Sequence, residues 1–217
     1  RIGSAIASGS AIASGSAIAS MGYGRGGPWE FRGSAHYQLH LVKSSVARRF
    51  VPEGMRLVEA MGHTLGGFYL AHYEESPVGA FDEMVVLGGL VWNGPTSCAW
   101  ASHVFVNNKS ARRHGRKVFG LPSHCIPFHK CHSTSSLSLG GDRFGMPLVR
   151  LTKAAPGSPG ATGPRIKMSL PSFSGMTQHM PVLLRYALNL EANVQPAKRF
   201  AVEADGTHGQ PSGRGAR

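Results

Sequence analysis

Cysteine is scarce: Cys98, Cys125 and Cys131 are the three in a chain of 217 residues. An odd number spread this thinly makes no disulfide framework and favours a reducing, intracellular compartment. Long apolar runs are also missing. The longest, Met84–Trp92 (MVVLGGLVW), is about half of the roughly 18 residues a bilayer-crossing helix needs, so no transmembrane segment is expected. No charged stretch followed by an apolar one opens the chain, which disfavours secretion. Acidic residues are few, 11 Asp and Glu against 23 Lys and Arg. The resulting net charge of +12 favours anionic partners such as nucleic acid, lipid head groups or acidic substrates. It constrains partners, not fold.

What is abundant is glycine and proline, 29 and 14 residues, enriched toward the two ends. Residues 3–20 are three copies of GSAIAS, too poor in large apolar groups to bury a core, so residues 1–25 are expected to stay disordered. This stretch is Ser-rich and has no acidic residue before Glu30, loosely like an organelle transit peptide, with Arg1 and Arg25 its only basic residues. Residues 205–217 (DGTHGQPSGRGAR) are polar and Gly-rich and are also expected to be disordered. Residues 26–204 are then long enough for one domain.

Within that domain, Tyr37–Lys43 (YQLHLVK) alternates Tyr37, Leu39 and Leu41 with Gln38 and His40, the period of a half-buried strand. Further strand-like runs are Met55–Ala60, Thr64–Tyr73, Glu83–Trp92, Cys98–Asn107, Met146–Lys153, Arg165–Leu170 and Leu184–Val194. Two short helices are predicted. One is capped by Ser44 or Ser45 and runs through Phe50; the other is capped by Asn107 or Asn108 and runs to about His114, with Gly115 as its stop. The pattern reads as mostly antiparallel β with minor α.

Three clusters could carry chemistry. Lys109–Lys117 (KSARRHGRK) holds five basic residues. It reads as a solvated helix face, as a nucleic-acid patch lacking interleaved aromatics, or as a setting in which neighbouring cations push a lysine toward its neutral, nucleophilic form. The run HCIPFHKCH (His124–His132) gathers five potential metal ligands. Without paired CxxC or HxxxH spacing, and with alternation along a strand dividing them between two faces, no metal site is expected. Glu74, Glu75, Asp82 and Glu83 flank a Ser-Pro-Val-Gly turn, where a carboxylate in an apolar cavity could handle protons. No nucleotide-binding or hydrolase motif occurs, and no cofactor is expected.

The stretch RKVFGLP (Arg116–Pro122), preceded by the strand CAWASHVFVN and a short basic helix, resembles the lysine segment of acetoacetate decarboxylase-like proteins. In that family a lysine followed closely by Gly-x-Pro forms a Schiff base with a keto acid. The resemblance puts Lys117 on that lysine and Glu75 on the family's acidic residue. The family's second lysine falls on Val118, and its early arginine is unmatched, Arg32 being a near neighbour. The blocks YQLHLVK, RLVEA, TLGGFYLA, YEESPVGAFDE, VWNGPTSCAWA, RHGRKVFGLPS and LPSFSG are similar to a plant and algal branch of the same superfamily that is required for making neoxanthin. This resemblance implies a cone-like antiparallel β barrel around an apolar pocket. It also implies a role in xanthophyll metabolism upstream of abscisic acid, and a chloroplast location.

Two functional classes compete, with a third beside them. One is an apolar pocket, lined by Phe68, Tyr69, Trp92, Trp100 and Phe105, that binds a carotenoid; plain core packing is the alternative for each of these aromatics. The other is a Schiff-base lyase acting on a keto acid through Lys117, with Glu75 handling protons and Arg116 as the cation beside the lysine. Lys117 would then have to titrate roughly 3–4 pH units below the usual lysine value of about 10.4. The third is a scaffold for carotenoid-pathway enzymes, which needs no reactive lysine. No specific nucleic-acid partner is expected.

Overall fold

A computed structural model describes residues 4–13, 23, 26–131, 136–140, 149–153, 163–197 and 199–204. In chain order the strands are β1 (Ser4–Ala13), β2 (Trp29–Lys43), β3 (His63–Glu75), β4 (Phe81–Asn93), β5 (Thr96–Val106), β6 (Ser123–Cys125), β7 (Phe128–Cys131), β8 (Ser136–Leu139), β9 (Val149–Lys153), β10 (Arg165–Thr177), β11 (Met180–Ala197) and β12 (Phe200–Ala204). Helices α1 (Ser44–Ala47) and α2 (Lys109–Val118) are short, and a 3-10 turn, Arg48–Phe50, follows α1. The expectation of mostly antiparallel β with minor α holds.

An eight-stranded sheet has the order β10-β11-β1-β2-β3-β4-β5-β6, and a four-stranded sheet the order β12-β9-β8-β7. Strands β2 to β5 form a meander: short turns close β3–β4 and β4–β5, and residues 44–62, with α1 and the 3-10 turn, join β2 to β3. Only the β5–β6 pair is parallel among the described strands, and it is joined through α2, as a parallel connection requires a crossover. The larger sheet curls until β10 packs against β5. Phe173 of β10 shares a buried cluster with Trp100 of β5, Arg185 donates to Asn93 Oδ1 at 2.7 Å, and Thr177 Oγ1 donates to the Gly120 carbonyl at 2.9 Å.

One face of the larger sheet carries Phe68 and Met84, which pack with Ile126 against Leu137, Leu139 and Leu151 of the smaller sheet. Each such fully buried side chain contributes roughly 1.5–3 kcal/mol by area removed from water. The opposite face is concave and encloses a cavity. No helix among the described residues is long and apolar enough to cross a membrane.

Four expectations change. Ser4–Ala13, expected to lie outside the fold, runs as β1 between β2 and β11, with Gly9 opposite both Gly33 and Ala192. Strands β2 and β11 would otherwise leave rows of backbone N–H and C=O groups unpaired, and a segment of Ser, Ala, Gly and Ile without proline satisfies them through its backbone alone. Met55–Ala60 is not a strand; it makes only the isolated bridges Leu57–Val91 and Ala60–His63. Gly115 does not stop α2, which continues to Val118. A Cβ at Gly115 would sit 2.7 Å from Ser123 Oγ, so this glycine lets α2 lie close against β6. Finally, HCIPFHKCH divides between β6 in one sheet and β7 in the other, with His132 outside the described residues. The remainder of 1–25, residues 146–148 of the expected Met146–Lys153 strand, and the 205–217 tail also lie outside the described residues.

Candidate functional site

Alternation along the strands builds the site. Phe31 and Tyr37 of β2, Tyr69 and Tyr73 of β3, and Glu83 and Val85 of β4 turn toward one cavity of about 490 Å³ on the concave face. The space exists because the same face also carries Gly33, Ala35, Ala99 and Ala101, whose side chains are too small to fill it. A Cβ at Gly33 would lie 2.0 Å from the His72 carbonyl oxygen, where the β2–β3 register shifts between Arg32 and Gly33. Helix α2 closes one side with Ala111, His114 and Gly115, spaced as one helical face. Asn108 holds the start of α2 by accepting hydrogen bonds from the backbone N–H of Ser110 and Ala111, at 2.8 and 3.0 Å.

The cavity has two polar foci. At the first, Tyr73 Oη donates to Glu83 Oε2 at 2.9 Å. The Tyr69 hydroxyl lies 3.0 Å from that of Tyr73, within hydrogen-bond distance. Tyr37 extends the group, its ring 4.6 Å from that of Tyr69. Burial pushes the Glu83 carboxyl up to about 7, and the Tyr73 hydrogen bond only partly offsets this. Burial, followed by the nearby Glu83 charge, pushes Tyr37 up to about 12. Tyr69 and Tyr73 are likewise raised, chiefly by burial.

The second focus is His114, 8% exposed and with Nε2 unpartnered among the described residues. Its ring stacks on Tyr23 at 3.6 Å and meets the edge of Trp29 at 4.4 Å. Burial pushes the imidazole down to about 4, so it is neutral near pH 7. An unbroken aromatic wall joins the foci: Tyr23 lies 6.2 Å from Phe31, and Phe31 lies 5.2 Å from Tyr73, which holds Glu83. Cys98 also lines the cavity, but burial raises its thiol, which donates to the Ala99 carbonyl, and it is a poor nucleophile there.

The residues named from sequence fall elsewhere, with one exception. Lys117 is exposed near the C-terminal end of α2 and does not line the cavity, because the helix runs on past Gly115 and carries it outward. Arg116 Nε donates to the Ser123 carbonyl at 2.7 Å and ties α2 to β6. Glu75, with a side chain 70% exposed, pairs with Arg32 at 3.3 Å beyond the cavity. Phe68 and Phe105 pack between the sheets, and Trp100 packs in the Phe173 cluster. Trp92 is 38% exposed at the end of β4. Tyr69 alone of the eight lines the cavity.

Sequence reasoning counted Glu83 among four acids that could handle protons but settled on Glu75, and it missed His114. A signal was present for Glu83: Phe81, Glu83 and Val85 share one strand face, a lone carboxyl between apolar neighbours. Among the described residues no group of three or more His, Cys, Asp or Glu side chains is arranged to hold a metal ion.

No family model matches the chain. Among solved structures it is similar to an acetoacetate decarboxylase from Legionella pneumophila, at 8% identity over 92% of this chain and 87% of that one, with a TM-score of 0.44. It is also similar to the enduracididine biosynthesis enzyme MppR complexed with pyruvate, at 12% identity over 94% and 91% of the two chains, with a TM-score of 0.41. Among curated proteins it is 46% identical to Protein NEOXANTHIN-DEFICIENT 1 of Oryza sativa subsp. japonica over 82% of this chain and 70% of that protein. The protein of the same name from Solanum lycopersicum is 46% identical over 82% and 72%. The one from Arabidopsis thaliana is 43% identical over 84% and 76%. With identity of this order across most of both partners in every pair, the chain belongs to the NEOXANTHIN-DEFICIENT 1 family.

Proposed function

We propose that the chain serves neoxanthin biosynthesis, upstream of abscisic acid and within the chloroplast, by binding a carotenoid in the cavity of the larger sheet. The observation that carries this reading is the character of the wall. A space of about 490 Å³ lies within the range of small-molecule sites and is lined mainly by aromatic and aliphatic side chains. Among the described residues its one carboxyl, Glu83, and its one imidazole, His114, lie along one aromatic wall, and its other polar groups are serine and tyrosine hydroxyls and the Cys98 thiol. A long hydrocarbon with oxygen functions on its end ring matches that distribution. A keto acid matches it less well, because no lysine or arginine lines the cavity among the described residues to form an iminium or to pair with a carboxylate. Exposed Lys117 therefore gives the Schiff-base alternative no support.

The test is co-elution of pigment. Purified protein mixed with detergent-solubilised xanthophyll and passed through a size-exclusion column should carry pigment with a shifted absorption band. Leu188→Trp, which fills the cavity from β11, should abolish this, and Lys117→Met should not. Absence of pigment from the wild-type peak, or equal retention by Leu188→Trp, would overturn the reading.

A further inference from the structure

We propose that the outer face of α2, with the tip of the β10–β11 hairpin beside it, is a docking surface for an anionic lipid bilayer from which the cavity draws its apolar ligand. The choice of cargo rests on the carotenoid reading; the docking surface stands without it. Its ground is a row of uncompensated charge. Lys109, Arg113 and Lys117 recur every fourth residue, so they stand along one side of α2, and all three are exposed. Half-buried Arg112 and Arg116 flank the row. The opposite side of the helix, with Ala111, His114 and Gly115, faces the cavity.

Among the described residues no Asp or Glu side chain pairs with any of these five cations. The carboxylates that form ion pairs do so with Arg32, Arg48, His72, Lys130 and Arg165. His124 of β6 feels the crowding, since burial and then Arg116, His103, His179 and Arg112 push its imidazole down. His179, in the turn between β10 and β11, thereby adds to the same basic neighbourhood as the helix. Like charges gathered without counter-charges of their own raise the local potential and attract an extended anionic partner.

Where the helix ends, charge gives way to aliphatic side chains. Val118 closes α2 and is exposed, as are Met176 and Val182 of the hairpin, Val182 at 55%. The hairpin tip is held there: Thr177 Oγ1 donates to the Gly120 carbonyl at 2.9 Å, and a Cβ at Gly120 would lie 2.6 Å from the Met180 Cβ. By alternation Val182 stands in the row of β11 that runs on through Leu184 to Tyr186, Leu188 and Leu190, three residues that line the cavity. The exposed apolar rim therefore continues the cavity's own wall. Cations beside aliphatic side chains match a bilayer, whose anionic head groups lie over acyl chains. Nucleic acid is the less apt partner, because single strands are held by stacking on aromatics and the basic row carries none. A polyene is scarcely soluble in water and is carried by a bilayer, so a surface of this kind beside the cavity is where such a ligand enters.

The test is flotation of the whole chain with vesicles of phosphatidylcholine alone or with about a quarter phosphatidylglycerol. Wild type should float with the anionic vesicles and not with the neutral ones. Raising salt from about 0.1 M to about 1 M, which shortens the screening length from about 10 Å to about 3 Å, should release most of it. Arg113→Gln combined with Lys117→Gln should weaken binding about thirtyfold, since each cation beside an anionic surface contributes about fivefold. Val182→Asp should weaken it at least about tenfold, as the loss of one buried valine side chain does. Lys167→Gln, at the opposite end of β10 from the hairpin tip, should change it by less than about twofold. Pigment dissolved in the anionic vesicles should pass to wild type faster than to the double variant, in proportion to binding. Equal flotation with both vesicles, or an affinity unchanged in the double variant and in Val182→Asp, overturns the proposal. Single-stranded RNA bound more tightly than the anionic vesicles assigns the surface to nucleic acid and overturns it as well. None of these residues lines the cavity, so all the variants should still co-elute with pigment presented in detergent. Failure of that co-elution in wild type overturns the carotenoid reading alone, and vesicle binding decides the docking surface separately.

Discussion

Replacing Glu83 by Gln should abolish the pH dependence of stability that arises at this one position. In the folded chain the carboxyl is raised to about 7, against about 4.3 for an unfolded glutamate. The folded state therefore holds this proton more tightly, and the stability it contributes is fully present below about pH 4.3 and is lost as pH rises through about 7. At 1.36 kcal/mol per pH unit, the difference of roughly 2.7 corresponds to about 3–4 kcal/mol. His114 works in the opposite direction. Its value is lowered to about 4, so its contribution is present above the unfolded value of about 6.5 and is lost as pH falls through about 4. In wild type the two slopes nearly cancel between about pH 4.3 and pH 6.5, and the pH curve alone hides both. The difference between Glu83→Gln and wild type removes His114, because both proteins contain it. Urea unfolding of the pair at about pH 4 and about pH 8 should show the variant gaining about 3 kcal/mol relative to wild type across that interval, or roughly 6–12 °C in melting temperature. A stability difference that is the same at both pH values would refute the burial argument for Glu83.

Other substitutions test the rest of the architecture. Lys117→Met and Glu75→Gln, both at exposed positions, should change the melting temperature by no more than about 0.5 kcal/mol allows, since surface charge pairs contribute little. Asn108→Ala removes the cap of α2 and should cost about 1 kcal/mol in urea unfolding. Because α2 carries His114, the same change should speed pigment release measured by stopped-flow absorbance. Leu151→Ala, at a residue 0% exposed between the sheets, should cost about 2–5 kcal/mol and leave pigment co-elution intact.

The meander was legible in the sequence because β2 alternates and the other strands are short β-rich runs bounded by glycine, proline and asparagine. YQLHLVK lies within β2, and the runs expected at Thr64–Tyr73, Glu83–Trp92 and Cys98–Asn107 fall on β3, β4 and β5. Asn108 announced α2 for a local reason: a side chain that can accept from the first free N–H groups favours a helix start wherever it stands. Strand β1 was hidden because its backbone pairs with β2 and β11, and a GSAIAS repeat carries no sign of that pairing in its own sequence. The extent of α2 was hidden for a similar reason, since Gly115 looks like a stop until Ser123 is seen against it. The aromatic residues chosen for the pocket came mostly from the wrong face. Both faces of the larger sheet are apolar, one against Leu139 and Leu151 and the other against the cavity, and alternation divides residues into two sets without saying which set is which. The imidazole was missed because it has no local signature, and the carboxyl was passed over for Glu75 because alternation does not say which strand face meets the cavity. Their chemistry comes from burial, which only the closed sheet and α2 create.

The small side chains at Ala35, Ala99 and Ala101 set the shape of the cavity independently of the packing that joins the two sheets. Exchanging one of them for valine or leucine would reshape the cavity without touching Phe68, Met84 or Leu151, which hold the two sheets together on the other side. The cavity's shape is therefore open to change by single substitutions that leave the packing between the sheets, and with it most of the thermal resistance, as it is.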